Sequence, residues 1–255
     1  MLCQRIYKCS RVLWNTPSGN GRFLGVSTIK NYMSTKTQDK NDIQIAALDS
    51  DMCLLVDEKD NFLGSATKRD CHKVGADGKL LLHRAFSVLI FNSAGELLVQ
   101  KRASQKVTYP NAFTNTCCSH PLLINGEPED VHSAAIRRLH DELGIPKHQL
   151  KREDFTLISR FIYMDPGDGV WGEYELDYVL ILKSDVEVQP NPDEIDDLKY
   201  IPRHKIDSFM ANLKVPVTPW FKLMHKHMLL YWWDNLHRLN EISEPQKIQS
   251  YINNA

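Results

Sequence analysis

A chain of 255 residues, 42% hydrophobic and 25% charged, is ordinary globular composition with enough apolar material for one sizeable core. A net charge of −1 excludes a global attraction to nucleic acid or to an anionic membrane surface, so affinity for an anion must come from a local basic cluster. No apolar run approaches the ~18 residues of a membrane span, so the chain reads as soluble.

The first 38 residues carry Arg5, Lys8, Arg11, Arg22, Lys30 and Lys36 and no acid before Asp39. Residues 1–40 therefore form a basic N-terminal extension whose composition is that of a mitochondrial transit peptide. A poorly ordered tail, or sequence upstream of a start at Met33, fits it equally. The last residues, Tyr-Ile-Asn-Asn-Ala, carry no peroxisomal ending, which leaves cytoplasm or mitochondrion as the expected compartment. The six cysteines, two of them adjacent, lack the spacing of a disulfide framework and suit free thiols.

Residues 41–255 alternate strand and helix signals. Met52–Asp57 is a short apolar run ending in the turn residues Asp57–Asn61. Ala85–Phe91 and Glu96–Arg102 flank Asn92-Ser93-Ala94-Gly95, a hairpin signal. Glu129–Leu143 reads as a helix with an apolar stripe of Val131, Ala134, Ala135, Leu139 and Leu143, stopped by Gly144 and Pro146. Phe155–Tyr163 and Tyr174–Leu182 read as strands, and Pro202–Leu213 and Pro219–Leu239 as helices. The pattern predicts an α+β fold, a mixed sheet covered by helices, in one catalytic domain.

Three groups of residues carry chemistry. In Thr114-Asn115-Thr116-Cys117-Cys118-Ser119-His120-Pro121 a cysteine stands two residues before a histidine, which suits a thiol beside a metal or a base. Glu173 and Glu175, two apart on a strand, project from one face, and a paired-carboxylate face beside histidines is a site for a hard cation. Lys68, Arg69, Lys101, Arg102 and Lys106 lie near predicted strand ends, where basic residues either bind anions or are merely solvated.

The Thr114–Pro121 string, together with Leu82–Ser87, Trp171–Glu175 and Thr218-Pro219-Trp220, resembles the type I isopentenyl-diphosphate isomerases over about Leu48 to His237. The resemblance implies a catalytic Cys118 and Glu175, with Tyr163 assisting the carboxylate and Trp220 facing a carbocation. It implies a divalent ion (Mg²⁺, Mn²⁺ or Zn²⁺) on His72, His83, His120, Glu173 and Glu175, and diphosphate contacts from Lys68, Arg102, Lys106 and Ser119. Arg137–Ile145 is similar to the end of a Nudix box, but Arg138 stands where the hydrolase pattern has Glu, and Leu123 where it has its leading Gly. The fold is thus expected to be Nudix-like without the hydrolase constellation. Glu142 is a candidate for a second Mg²⁺ on the substrate diphosphate, or simply the i+4 partner of Arg138.

The implied reaction interconverts isopentenyl and dimethylallyl diphosphate by protonation and deprotonation, in isoprenoid precursor synthesis. The expected partner is a small prenyl diphosphate, with no nucleic acid and no obligate protein partner. Competing readings are a Nudix diphosphohydrolase, an inactive prenyl-diphosphate-binding relative and a Cys–His thiol hydrolase.

Overall fold

The computed structural model describes residues 44–252, so the expected N-terminal extension lies outside the described residues. Helix α1 (44–50) leads into a hairpin of β1 (Met52–Val56) and β2 (Phe62–Thr67). Its turn is held by Asp57, whose carboxylate accepts from the backbone N–H groups of Lys59 and Asn61. Thr67 then caps the short helix α2 (Lys68–His72) by accepting from the Asp70 N–H.

Strands β3 (His83–Phe91) and β4 (Leu97–Arg102) follow, joined by the expected turn, with Gly95 at φ 73°. Their mutual pairing is confined to Ile90 with Leu98 and Phe91 with Leu97. Beyond that they splay. The thiol segment enters the gap as β5 (Phe113–Thr114), which pairs with β4, and β6 (Cys117–Ser119), which pairs with β3. A small ribbon, β7 (Leu123–Ile124) and β8 (Glu127–Pro128), precedes helix α3 (Val131–Leu143). This helix starts at Val131, two residues after the expected Glu129, because Asp130 is the cap and accepts from the N–H groups of His132 and Ser133. It ends at Gly144 (φ 65°), where any Cβ would lie 2.2 Å from the Gln189 carbonyl oxygen.

Strands β9 (Phe155–Asp165), β10 (Glu173–Lys183) and β11 (Ile195–Ile201) complete the main sheet, and α4 (Ile206–Asn212), α5 (Pro219–His227), α6 (Leu229–Asp234), α7 (Leu239–Ile242) and β12 (Ile248–Ser250) close the chain. The single helix expected over Pro219–Leu239 is broken. Met228 leaves helical geometry (φ −137°, ψ −45°) and buries its side chain in the core, so α5 and α6 run as separate segments.

The sheet has the order β11-β4-β3-β10-β9-β12 and is mixed, because β3 and β10 run parallel at its centre while β10 and β9 are antiparallel. Alternation along the strands sorts the core into two layers. Phe86, Val88 and Ile90 pack with Leu180 and Leu182 under α3. Leu89 and Phe91 turn the other way, with Val179 and Ile181, against the C-terminal helices. Odd-numbered positions of β10 thus share the face that includes Glu173 and Glu175 at the strand's start.

Candidate active site

The parallel register of β3 and β10 sets Glu175 opposite His83, and the antiparallel register of β10 and β9 sets Glu175 opposite Tyr163. His72, from α2, and His120, just after β6, reach the same point. The ligand-type atoms of His72, His83, His120, Glu173 and Glu175 all lie within 4.8 Å of one another, and all five residues are buried. His120 Nε2 is 2.8 Å from Glu175 Oε1, His83 Nε2 is 3.7 Å from the same oxygen, and His72 Nε2 is 2.9 Å from Glu173 Oε2.

Burial depresses the imidazoles to about 4 at His72 and about 4 at His83, and takes His120 well below the ordinary range. They are therefore neutral. The Nδ1 of His72 and of His83 donates to the carbonyl oxygens of Lys68 and Leu81, at 2.7 and 2.8 Å, which leaves each Nε2 lone pair facing the carboxylates. His83 Nε2 and Glu173 Oε2 are buried without a hydrogen-bond partner among the described residues. Burial, then the neighbouring Glu175, pushes the Glu173 carboxyl well above its ordinary value. Neutral imidazoles with inward lone pairs, beside crowded carboxylates and orphaned atoms, fit a divalent cation.

The thiol segment is held by its own polar residues. Asn115 donates to the carbonyls of Val88 (3.0 Å) and Cys117 (2.8 Å) and accepts from the Trp220 indole N–H at 3.0 Å. Thr116 accepts from the Ile90 N–H and donates to the Leu98 carbonyl, bridging the splayed strands. The Thr114 and Thr218 hydroxyls lie 2.8 Å apart. The Thr-Asn-Thr and Thr-Pro-Trp strings, a hundred residues apart in the chain, are thus stitched together. In this frame Cys118 pairs with Ser87 and faces the same cavity as Glu173 and Glu175. Burial pushes the Cys118 thiol up to about 12, opposed by Arg102, whose Nη1 is 3.8 Å from the sulfur. The thiol therefore stays protonated. His120 turns to Glu175 rather than to Cys118, so no Cys–His dyad forms.

The same cavity also carries basic side chains. Lys68, Arg102, Lys106 and Ser119 line it with Cys118 and Trp220. Arg102 is fixed by donating to the carbonyls of Thr108 (2.8 Å) and Tyr109 (3.2 Å), and its Cζ lies 5.8 Å from the Trp220 ring centroid. Of the other basic residues named from sequence, Lys101 pairs with Asp196 and Arg69 with Asp49. Neither lines this cavity. Trp232 and Trp233 belong to the core.

Glu142 lines the cavity but is bound to Arg138, Oε1 to Nη2 at 2.5 Å. Arg138 itself lines it too, although its local pattern marks it only as a departure from a motif or as a surface ion pair. Asp177 carries a signal in the sequence, because it continues the two-residue rhythm of Glu173 and Glu175. It is buried, accepts from Ser87 Oγ at 2.8 Å, and leaves Oδ1 without a partner among the described residues. Glu194, bound to Lys106 and Arg138, had no local signal, because its partners are 88 and 56 positions away.

Residues 81–221 match the sequence profile of the NUDIX domain. The isopentenyl-diphosphate Delta-isomerase 1 of Mesocricetus auratus is 41% identical over 224 residues, covering 85% of this chain and 97% of that protein. The chloroplastic isopentenyl-diphosphate Delta-isomerase 1 of Cannabis sativa is 44% identical over 223 residues, covering 81% of this chain and 76% of its own. Among solved structures, DR0079 of Deinococcus radiodurans superposes with a TM-score of 0.51 at 18% identity, over 69% of this chain and 99% of that one, a likeness of fold.

Proposed function

From the premise that this chain belongs to the NUDIX family, as one of its isopentenyl-diphosphate Delta-isomerases, we propose how its cavity divides the work of the reaction. The enzyme interconverts isopentenyl and dimethylallyl diphosphate in isoprenoid biosynthesis. One proton is added at the terminal alkene carbon and one is removed from the carbon nearer the diphosphate, through a species with tertiary carbocation character.

The observation that carries the assignment is one cavity lined by a protonated thiol, three buried glutamates and four cationic side chains. Cys118 and Glu175 are the acid–base couple, exchanging roles with the direction of the reversible reaction. Tyr163 donates to Glu175 Oε2 and restricts which carboxylate orbital meets the proton. Lys68, Arg102, Lys106 and Ser119 hold the diphosphate by charge-assisted hydrogen bonds. Trp220 offers an indole face to developing positive charge and excludes water, with Tyr109 closing on its ring edge-on at 5.3 Å.

His72, His83, His120, Glu173 and Glu175 would hold one divalent ion, drawn from Mg²⁺, Mn²⁺ and Zn²⁺. Such a cation supplies the charge that lets two crowded, buried carboxylates stay ionised. Glu142 is the residue proposed for a second Mg²⁺ on the diphosphate: Arg138 takes its Oε1, and among the described residues Oε2 has only Gln100 at 3.5 Å.

General acid–base catalysis contributes roughly 10²–10⁴-fold, whereas enzymes commonly lower barriers by ~8 kcal/mol or more. Binding, orientation and water exclusion must supply the rest. A hydrolase reading is disfavoured by the guanidinium of Arg138, which occupies Glu142 and Glu194, and a thiol hydrolase by the absence of a dyad. Incubation with isopentenyl diphosphate and Mg²⁺ in D₂O should give deuterated dimethylallyl diphosphate and no free phosphate. Phosphate release without isomerisation would overturn the assignment.

Among the described residues no helix is long and apolar enough to cross a membrane. The basic, acid-free run through residue 38 supports a mitochondrial or cytoplasmic enzyme. Sequencing the mature N-terminus after expression in cells tests whether that run is removed.

A further inference from the structure

A carboxylate placed just behind a pocket built for an anion is electrostatically out of place. Glu194 is such a group: it does not line the cavity, its side chain is 13% exposed, and both its oxygens are taken by cations that do line it. Oε2 accepts from Lys106 Nζ at 2.5 Å, and Oε1 accepts from Arg138 Nη2 at 3.2 Å. Arg138 is itself anchored by Glu142 at 2.5 Å, so Lys106, Glu194, Arg138 and Glu142 form one continuous chain of alternating charge.

The backbone around Glu194 has the same two attachments. Residues 189–195 are pinned to the end of α3 by the N–H groups of Gln189 and Asn191, which donate to the carbonyls of Leu143 and Glu142 at 2.7 and 2.8 Å. On its other side the Glu194 carbonyl accepts from the Ala103 N–H at 3.0 Å, and Gln105 donates to the Pro192 carbonyl at 3.1 Å. The segment is a clasp between helix α3 and the loop after β4. That loop carries Lys106, Val107 and Thr108, three of the residues that line the cavity.

Lys106 needs such a clasp. A lysine is a flexible point charge with three N–H donors, unlike the preorganised fork of an arginine. Its only side-chain hydrogen-bond partner among the described residues is Glu194, which takes one donor and leaves two for phosphate oxygens. Burial draws the Lys106 ammonium down, and Glu194 works against that. Although burial pushes Glu194 up, Lys106 and then Arg138 hold it at about 2, so it remains an anion whenever the enzyme works.

We propose that Glu194 is a positioning residue of the isomerase, holding the Lys106 ammonium against α3 so that its two free N–H groups meet the substrate diphosphate already oriented. The inference rests on the assignment of Lys106 to diphosphate binding. It predicts that Glu194, despite its negative charge, raises affinity for the anionic substrate. Simple repulsion predicts the opposite.

The test measures KM and kcat for isopentenyl diphosphate, and the inhibition constant of inorganic pyrophosphate, on the full-length enzyme with Mg²⁺. The variants are Glu194→Gln, Lys106→Met and the double variant. Lys106→Met should raise KM and the pyrophosphate constant about tenfold with kcat little changed. Glu194→Gln should raise both by about five- to tenfold, and the double variant should match Lys106→Met alone. If Lys106→Met changes neither constant, the diphosphate assignment itself fails. If Lys106→Met has its effect while Glu194→Gln leaves KM unchanged or lowers it, Glu194 does not position Lys106 and the inference is overturned. Should Glu194→Gln not fold, because it leaves a buried lysine unpaired, Glu194→Asp decides, since it keeps the charge and shortens the reach to Lys106. A several-fold rise of KM and of the pyrophosphate constant in Glu194→Asp upholds the inference, and constants equal to wild type overturn it.

Discussion

Tyr163 and Glu175 stand directly opposite each other in the β9–β10 ladder, and the tyrosine hydroxyl donates to Glu175 Oε2 at 2.5 Å while His120 Nε2 lies 2.8 Å from Oε1. Each carboxylate oxygen therefore has its own partner, and the group proposed to handle the proton cannot rotate freely. Burial, reinforced by Glu175, raises the Tyr163 hydroxyl well above its ordinary value, so it remains a donor. Tyr163→Phe should lower kcat by about 10–100-fold and leave KM nearly unchanged, as expected when an interaction aiding only the transition state is lost. Steady-state kinetics read both constants.

For Cys118 the decisive variant is serine, which keeps the size and removes the thiol. A drop in kcat of about 10²–10⁴-fold is expected, with KM within about threefold of wild type. Near-full turnover in Cys118→Ser would remove the thiol from the mechanism.

Trp220→Leu removes the aromatic face and its bond to Asn115. A desolvated cation over an indole gains about 2 kcal/mol, so kcat should fall by roughly 30-fold. Admission of water should also divert some substrate to a tertiary alcohol, detectable by gas chromatography of dephosphorylated products.

Removal of divalent metal by a chelator should abolish isomerisation and lower the melting temperature, because Glu173 and Glu175 would be left crowded and uncompensated. Adding back Mg²⁺, Mn²⁺ or Zn²⁺ separately, and following both activity and melting, identifies which ion restores each. A melting temperature unmoved by chelation and re-addition would argue that the five residues hold no ion.

Away from the site, Asp130 caps α3 and pairs with Arg152. Asp130→Ala should cost about 1 kcal/mol of stability, read by urea denaturation, with kcat preserved. Burial raises the Asp130 carboxyl, but the Arg152 pair and the Ser133 N–H outweigh it and hold it below 3.8. A lowered carboxyl stabilises the fold above its unfolded value and loses that contribution as pH falls through the folded one. The stability gap between wild type and Asp130→Ala should therefore be full at neutral pH and shrink below about pH 4.

Strand and helix periodicities identified α3, β9 and β10 to within a few residues, because each buries one face or stripe and the pattern is local. Short motifs named Cys118, His120, Glu173, Glu175 and Trp220 for the same reason, since a string of specific residues survives without knowledge of its surroundings. What local pattern could not supply was who meets whom. The break at Met228 depends on where that side chain finds a core, and β2 and β11 carry too little alternation to announce themselves.

Folding also decided the charge state of the site. Glu173 and Glu175 could have been a solvated face, and Arg138 a surface ion pair; only the parallel junction of β3 with β10, the insertion of β6 and the clasp at 189–195 bury them together. A sequence specifies which side chains can hold a proton, a metal or a phosphate. Burial and mutual distance, which are properties of the packed chain, determine that Cys118 keeps its proton, that the histidines are neutral and that Lys106 is held by a glutamate far along the chain.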